Sequence, residues 1–127
     1  MDDRKLVWAG RALTALCLPP FLMGIFMMMT KNPQVIEGMA KYGWPASSIG
    51  TILTLEAGCL VLYLIPQTAV LGALLLTGYL GGAVATHLRA GEPPTAALVV
   101  AVMAWGGLYL REPRLRELLP FRRKRAK

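Results

Sequence analysis

The chain has 127 residues, of which 55% are hydrophobic and only 17% are charged, and its 14 lysines and arginines outnumber 7 aspartates and glutamates. This length predicts one small domain and excludes a large two-lobed enzyme. The mean hydropathy of +0.49 is high for a soluble domain, and runs of about 18 residues without charge are typical of membrane spans. The chain is therefore predicted to be an integral membrane protein.

Four apolar segments are predicted to cross the membrane as helices. A helix rises about 1.5 Å per residue, so about 20 residues cross a hydrocarbon core of roughly 30 Å. The segments lie, in chain order, at residues 6–29, 49–65, 69–87 and 95–110. The short connection at Pro66 predicts that the second and third segments form a tight helical hairpin.

The stretch between the first two spans, residues 33–41, is predicted to form a short helix. Asn32 is typical of a helix cap, Pro33 of a first helical position and Gly43 of a helix end. Because so short a helix cannot cross a bilayer, we expect it in the membrane interface, with a plain surface loop as the alternative. The predicted fold class is an all-α membrane protein, a four-transmembrane-helix bundle with a short interfacial helix between the first and second spans.

The distribution of basic residues predicts the orientation. With four spans both termini share one side, which collects eleven lysines and arginines against three on the other side, namely Lys31, Lys41 and Arg89. Since cytoplasmic segments carry the excess of basic residues, both termini are predicted to face the cytoplasm. The transmembrane domain is assigned to residues 1–120 and a basic cytoplasmic tail to residues 121–127. We interpret this tail as an orientation signal held at the lipid surface, and we predict no nucleic-acid partner.

Metal-binding and redox side chains are scarce. The two cysteines, Cys17 and Cys59, lie in different spans, and His87 is the single histidine. Neither a zinc-site spacing, nor a pair of haem histidines, nor a nucleotide-binding loop is present. We therefore predict no metal site and two cysteines that stay reduced.

Polar residues inside the predicted membrane segments are the candidate site. A carboxylate that faces hydrocarbon is unfavourable by several kcal/mol, so Glu56 should face the bundle interior, be protonated or be paired. Counted from the cytoplasmic ends at ~1.5 Å per residue, Glu56 lies ~13 Å deep, Thr77 and Tyr79 ~12–15 Å, and Arg11 ~8 Å. These four residues are predicted to share one layer that binds a polar headgroup or exchanges protons. Interhelical hydrogen bonding without a ligand is the alternative.

A second, outer layer is predicted around His87. It should include Arg89 and Lys31 and lie near the loops that carry Glu37 and Glu92. His87 is therefore a further candidate for ligand binding or proton exchange, and a structural role is the alternative.

Small residues recur along the third span. Gly78 and Gly82 are four residues apart, as are Gly81 and Ala85. Such spacing allows neighbouring helices to approach closely in lipid, so we predict that this stripe packs against another helix.

Five groups of residues carry a resemblance to a known family. They are Val35-Ile36-Glu37-Gly38-Met39 with Gly43-Trp44-Pro45, Leu55-Glu56 with Leu62-Tyr63-Leu64-Ile65-Pro66, Thr68-Ala69-Val70-Leu71-Gly72-Ala73, Thr77-Gly78-Tyr79-Leu80-Gly81-Gly82-Ala83 with Thr86-His87-Leu88-Arg89, and Leu108-Tyr109-Leu110-Arg111. With these residues the chain resembles the DoxX-like family of small four-helix bacterial membrane proteins, and the resemblance covers nearly all of the chain up to about residue 120. One departure is that such proteins often carry a lysine after the glycine equivalent to Gly24, where this chain has Met27 and Met28.

The resemblance implies a four-helix bundle in a bacterial inner membrane and leaves the activity open. The family name derives from a subunit of a quinone-reducing oxidoreductase, and distant relatives include assembly factors. We favour an accessory or partner-binding bundle without catalytic activity of its own, with an inner pocket around Glu56 for a lipid or quinone-like molecule. The alternatives are the membrane subunit of a quinone-linked oxidoreductase and a small proton-coupled transporter. Expected partners are membrane lipids and either another membrane subunit or further copies of the chain.

Overall fold

The computed structural model describes residues 2–122, and regular structure in this range is helical throughout. The predicted helical class is thereby confirmed. The elements are α1 (Asp3–Met29), α2 (Pro33–Lys41), a single 3-10 turn (Ala46–Ser48), α3 (Ile49–Leu64), α4 (Ala69–Arg89), α5 (Thr95–Arg111) and α6 (Pro113–Leu118). Most of the predicted tail, residues 123–127, lies outside the described residues.

The short helix α2 forms for the local reasons that its sequence indicates. The Asn32 side chain accepts a hydrogen bond from the Gln34 amide at 2.9 Å, and Pro33 occupies the first helical position, where no amide donor is required. The helix ends at Tyr42, after which Gly43 adopts φ 83°, a left-handed conformation that favours glycine. The predicted short helix is therefore present, while its location in the membrane interface stays a prediction.

The four longer helices surround a common core. α1 packs against α5 and α3, and α4 packs against the same two helices, so that neighbours around the ring run in opposite directions. The buried core includes Cys17, Phe21, Leu60, Leu76 and Leu108. Cys17 and Cys59 are both free thiols in this structure, and their redox state in the membrane stays a prediction.

Two glycine contacts bring pairs of helices into close approach. A Cβ at Gly10 of α1 would lie 2.6 Å from the carbonyl oxygen of Gly107 in α5, and a Cβ at Gly72 of α4 would lie 2.2 Å from the amide nitrogen of Tyr63 in α3. Neither position has room for a side chain, because the atoms that it would meet belong to the neighbouring backbone. These glycines fix the spacing of the α1–α5 pair and of the α3–α4 hairpin.

Tyr63, in the last turn of α3, is the centre of a polar network within this core. Its side chain is completely buried, and its hydroxyl donates to the carbonyl oxygen of Ala104 at 2.6 Å and lies 3.4 Å from the hydroxyl of Thr14. Arg111 donates from Nη2 to the Tyr63 carbonyl oxygen at 3.2 Å. Because each contact joins different helices, this network ties α1, α3 and α5 together where their buried polar groups would otherwise be unsatisfied.

Length and composition make three helical segments suitable for crossing a membrane: Asp3–Met29, Ala46–Leu64 and Ala69–Arg89. The fourth, α5, is apolar but shorter, with 17 residues. Large apolar side chains stand on the outside of the bundle, among them Leu16 (65% exposed), Met29 (67%) and Val102 (72%). Such an outer surface suits contact with lipid.

Candidate functional site

Glu56 faces the interior of the bundle, where helices α1, α3 and α4 meet. Only 6% of the residue is exposed, and its Oε2 accepts a hydrogen bond from the Tyr79 hydroxyl at 3.1 Å. On the other side of the carboxylate lies Gly24 of α1, where a Cβ would stand 3.4 Å from Oε1. Among the described residues Tyr79 is the hydrogen-bond partner of this carboxylate, so the predicted pairing of Glu56 with Tyr79 is present.

Thr77 does not join this pair. Its hydroxyl donates to the carbonyl oxygen of Ala73 at 2.8 Å and accepts from the indole nitrogen of Trp105 in α5 at 2.7 Å. Thr77 and Tyr79 are two positions apart on one helix, which turns them about 200° away from each other. The predicted placement of Thr77 beside Glu56 was therefore wrong. Two residues at the same depth in the membrane can point to opposite sides of their helix, and Thr77 points towards α5.

Arg11 is also remote from Glu56. Its guanidinium lies over the ring of Trp8, 5.0 Å from the ring centroid, and its side chain is exposed. The Glu56 carboxylate meets α1 at Gly24, which is thirteen residues or about 20 Å further along the helix. The predicted placement of Arg11 in the Glu56 layer was wrong, because α1 is shifted along its axis relative to α3.

His87 lies near the C-terminal end of α4, in the layer that the sequence predicts to be the outer one, and Tyr42 covers it. The two rings have centroids 5.1 Å apart, and His87 Nδ1 lies 2.7 Å from the carbonyl oxygen of Ala83, so a neutral ring donates from Nδ1. Arg89 also belongs to this layer, since its Nη2 donates to the Tyr42 carbonyl oxygen at 2.9 Å. Lys41 forms its ion pair with Glu92 of the α4–α5 loop, and the Tyr42 hydroxyl donates to the same carboxylate.

These contacts hold α2 over a cavity of about 350 Å³ between α2, α3 and α4, which we call the outer cavity. His87 lines it towards the helix ends and Tyr79 lines it towards the centre of the bundle. The remaining lining is almost entirely apolar or backbone: Met39, Tyr42, Trp44, Ile52, Leu55, Gly78, Gly82, Ala83 and Thr86. The cavity therefore extends from the layer around His87 to Tyr79, whose hydroxyl is hydrogen-bonded to Glu56.

The glycines of α4 open this cavity instead of packing against another helix. A Cβ at Gly78, Gly81 or Gly82 would meet no atom of residues 2–122 within 4 Å. Gly78 and Gly82 line the outer cavity, whereas Gly81 points away from it. The predicted close packing of this stripe was wrong, because the tight contact of α4 is at Gly72, two turns earlier.

Three lining residues from α2 and the loop behind it, Met39, Tyr42 and Trp44, were absent from the sequence-based site. Tyr42 and Trp44 follow the short helix directly, and such an aromatic pair is typical of a membrane anchor or of a cover over a bundle, so it was a signal that could have identified them. The ion pair of Lys41 with Glu92 joins residues that are 51 positions apart, so no local sequence pattern predicts it. The four-residue spacing of Glu37 and Lys41 on one helix would instead favour an ion pair within α2.

The contact of Lys41 and Tyr42 with Glu92 should depend on pH. The Lys41 ammonium, followed by the Tyr42 hydroxyl, holds the pKa of Glu92 below its ordinary value, and the Glu92 carboxylate raises the pKa of Lys41. A lowered carboxyl pKa means that the stabilisation is present above about pH 4.3 and is lost as the pH falls through the lowered value. A raised lysine pKa means that it is present below about pH 10.4 and is lost as the pH rises through the raised value.

We therefore expect α2 to stay closed over the outer cavity near neutral pH and to loosen as the pH falls below about 4.3 and through the lowered pKa of Glu92. Hydrogen exchange of the α2 amides, corrected for intrinsic rates, measures this directly. Glu92→Gln should accelerate exchange already at pH 7, whereas Glu37→Gln, which removes the same charge from α2 itself, should not. Equal exchange in both variants would show that the contact with Glu92 does not hold α2.

The chemistry available at the outer cavity is hydrogen bonding and proton exchange. The phenol of Tyr79 stands at one end and donates to the Glu56 carboxylate, which is itself not part of the cavity lining. The imidazole of His87 stands eight residues away along α4, or about 12 Å. Within residues 2–122 no three His, Cys, Asp or Glu side chains are grouped so that they could hold a metal ion. The arrangement thus suits an amphipathic molecule whose polar group forms hydrogen bonds.

The DoxX-like family model matches residues 12–107, which is more than half of the chain. The chain belongs to the DoxX-like family, which confirms the prediction made from its motifs, and with its apolar helices it is a multi-pass membrane protein. The matched range contains Glu56, Tyr79 and His87 and ends before Arg111. No curated protein and no solved structure matches the chain significantly.

Proposed function

We propose that this chain is a four-span inner-membrane protein that binds one lipid or quinone-like molecule in its outer cavity. It acts as an accessory or partner-binding bundle without catalytic activity of its own, with both termini in the cytoplasm. Its partner is another membrane subunit or a second copy of the chain. The observation that carries the proposal is the cavity itself, which Gly78 and Gly82 leave open beside the Tyr79–Glu56 pair.

The size and lining of the outer cavity support an amphipathic occupant. Its volume of about 350 Å³ is at the lower end of the range of about 300–1,000 Å³ for small-molecule sites. An apolar lining with a few polar groups is also what such sites share. His87, Tyr42 and Tyr79 provide hydrogen-bonding groups for a headgroup, while Leu55, Ile52 and Gly82 provide an apolar wall.

Quenching of tryptophan fluorescence by a short-chain benzoquinone tests the proposal. Trp44 lines the outer cavity, whereas Trp8 lies beside Arg11 and Trp105 contacts Thr77. We expect saturable quenching with one site per chain, and we expect Trp44→Phe to remove the saturable part. Quenching that rises linearly with quinone concentration, or that Trp44→Phe leaves intact, would contradict binding in the outer cavity.

The quinone-linked oxidoreductase subunit is the second candidate, and the Tyr79–Glu56 hydrogen bond favours it. Reduction of a quinone consumes protons, and a phenol hydrogen-bonded to a carboxylate beside the cavity is suited to deliver them. Electrons would come from another subunit. Quinone reduction by the purified complex, with a rate that Tyr79→Phe lowers although binding persists, would identify this role.

Substrate-driven proton flux in liposomes would instead identify a proton-coupled transporter. In that case Glu56→Gln should abolish the flux while keeping the fold, because the amide is nearly the same size as the carboxyl and still forms a hydrogen bond with Tyr79. Flux that is absent from the wild-type protein excludes this reading for the substrates tested.

A further inference from the structure

A second, smaller cavity lies at the opposite end of the bundle, where α3 ends and α4 begins. It has a volume of about 140 Å³, and we call it the basal cavity. Two guanidinium groups line it, Arg11 from α1 and Arg111 from the end of α5, together with Glu112 and an apolar wall that includes Pro66 and Leu108. The concentration of positive charge in a small space distinguishes it from the outer cavity.

Arg111 is held in place and is incompletely hydrogen-bonded. Its Nη2 donates to the Tyr63 carbonyl oxygen at 3.2 Å, and its guanidinium carbon lies 5.0 Å from the centroid of the Tyr63 ring. Its Nε is buried without a hydrogen-bond partner. A guanidinium carries five N–H donors, and buried donors in native proteins are nearly always satisfied. Among the described residues Nη1 has no hydrogen-bond partner either, and it is not among the buried atoms, so an acceptor in the basal cavity can pair with it.

Arg11 has no acidic partner among the described residues. It lies over the ring of Trp8, which is 61% exposed. Exposed tryptophans are enriched at the level of lipid headgroups, so this contact places Arg11 at that level. The other charged group of the basal cavity, Glu112, accepts a hydrogen bond from the amide nitrogen of Arg114 at 3.2 Å and so caps α6. With two arginines and one carboxylate, the lining keeps a net charge of +1.

We propose that the basal cavity binds a phosphate group between Arg11 and Arg111, as a phospholipid headgroup or a free phosphate would present it. Guanidinium groups bind phosphate oxygens through paired N–H bonds that match their planar geometry. The cavity is too small for an acyl chain, so the chains of a bound lipid would lie along the exposed apolar surface of the bundle. This site is separate from the outer cavity, and the proposed function does not depend on it.

Native mass spectrometry of the full chain in detergent, titrated with phosphatidylglycerol, tests this site. Arg11→Gln should weaken the first binding step by about tenfold, the loss expected for a charge-assisted contact. Arg4→Gln removes the same charge from an exposed position on α1 outside the cavity, so it should leave that step unchanged. Arg111→Lys keeps the charge but loses the paired geometry, and it should weaken binding as Arg11→Gln does.

Competition with inorganic phosphate separates the two sources of the group. Displacement of the lipid by millimolar phosphate supports a site that takes free phosphate as well, and retention of the lipid supports a site for lipid phosphate. The Arg11 side chain is exposed and stacks on the exposed ring of Trp8, so Arg11→Gln should fold and tests the site even if Arg111→Lys fails to fold. Equal weakening by Arg4→Gln and Arg11→Gln, or no weakening by either, would overturn the proposal.

Discussion

Gly72→Ala is expected to prevent stable folding, although it adds a single methyl group. That methyl would lie 2.2 Å from the Tyr63 amide nitrogen and 2.4 Å from its Cα, and neither atom can move without separating α3 from α4. Overpacking of a core typically costs about 1–3 kcal/mol, and a clash with backbone should reach the upper end of that range or exceed it. Unfolding in a denaturing detergent, followed by helical circular dichroism, measures the loss.

Gly81→Ala is the matched control on the same helix. A Cβ there meets no atom within 4 Å, and alanine favours a helix by about 1 kcal/mol over glycine, so this variant should be as stable as the wild type or slightly more stable. If Gly72→Ala unfolds at the same detergent concentration as Gly81→Ala, α3 and α4 are not as close as the structure places them.

Gly82→Leu is expected to abolish most quinone binding without unfolding the protein. Its side chain would enter the outer cavity, where a Cβ meets no atom within 4 Å, and would occupy the space beside Tyr79 and His87. We expect affinity for the benzoquinone probe to fall by about 10- to 100-fold, or about 1.4–2.8 kcal/mol. The tryptophan-quenching titration measures this change.

Gly81→Leu provides the corresponding control for binding. It makes the same substitution one residue away, on a side of α4 that does not line the outer cavity. Its affinity should equal that of the wild type. Equal losses in Gly81→Leu and Gly82→Leu would indicate a general effect of leucine on α4, and the outer cavity would lose its support as the binding site.

Much of the fold could be predicted from the sequence because its signals are local. Apolar runs, the Asn32 cap, Pro33 and the short connection at Pro66 define helices within three residues of those observed. The positions of close helix contact could not be predicted. Gly78 and Gly82 have the spacing of a packing stripe, yet the contacts are at Gly72 and at Gly10, which depend on how the helices are shifted along one another.

The candidate site could be predicted in part, for an energetic reason. A lone carboxylate in an apolar run needs a partner, and this requirement led to Glu56 and correctly to Tyr79. Depth alone also selected Thr77 and Arg11, which face other neighbours. Tyr42 and Trp44 reach the cavity because α2 folds back over the bundle, and the Lys41–Glu92 ion pair that holds it there joins residues 51 positions apart, which no local pattern predicts.

Photo-crosslinking in native membranes tests the central claim most directly. A benzoquinone that carries a diazirine on a short tail would be activated by light, and the labelled peptides would be located by mass spectrometry. We expect labels on the cavity-lining residues within 39–44 and 78–87, and we expect these labels to be lost in Gly82→Leu but not in Gly81→Leu. Labels spread evenly over the lipid-facing surfaces of α1 and α5, or an unchanged pattern in Gly82→Leu, would contradict it.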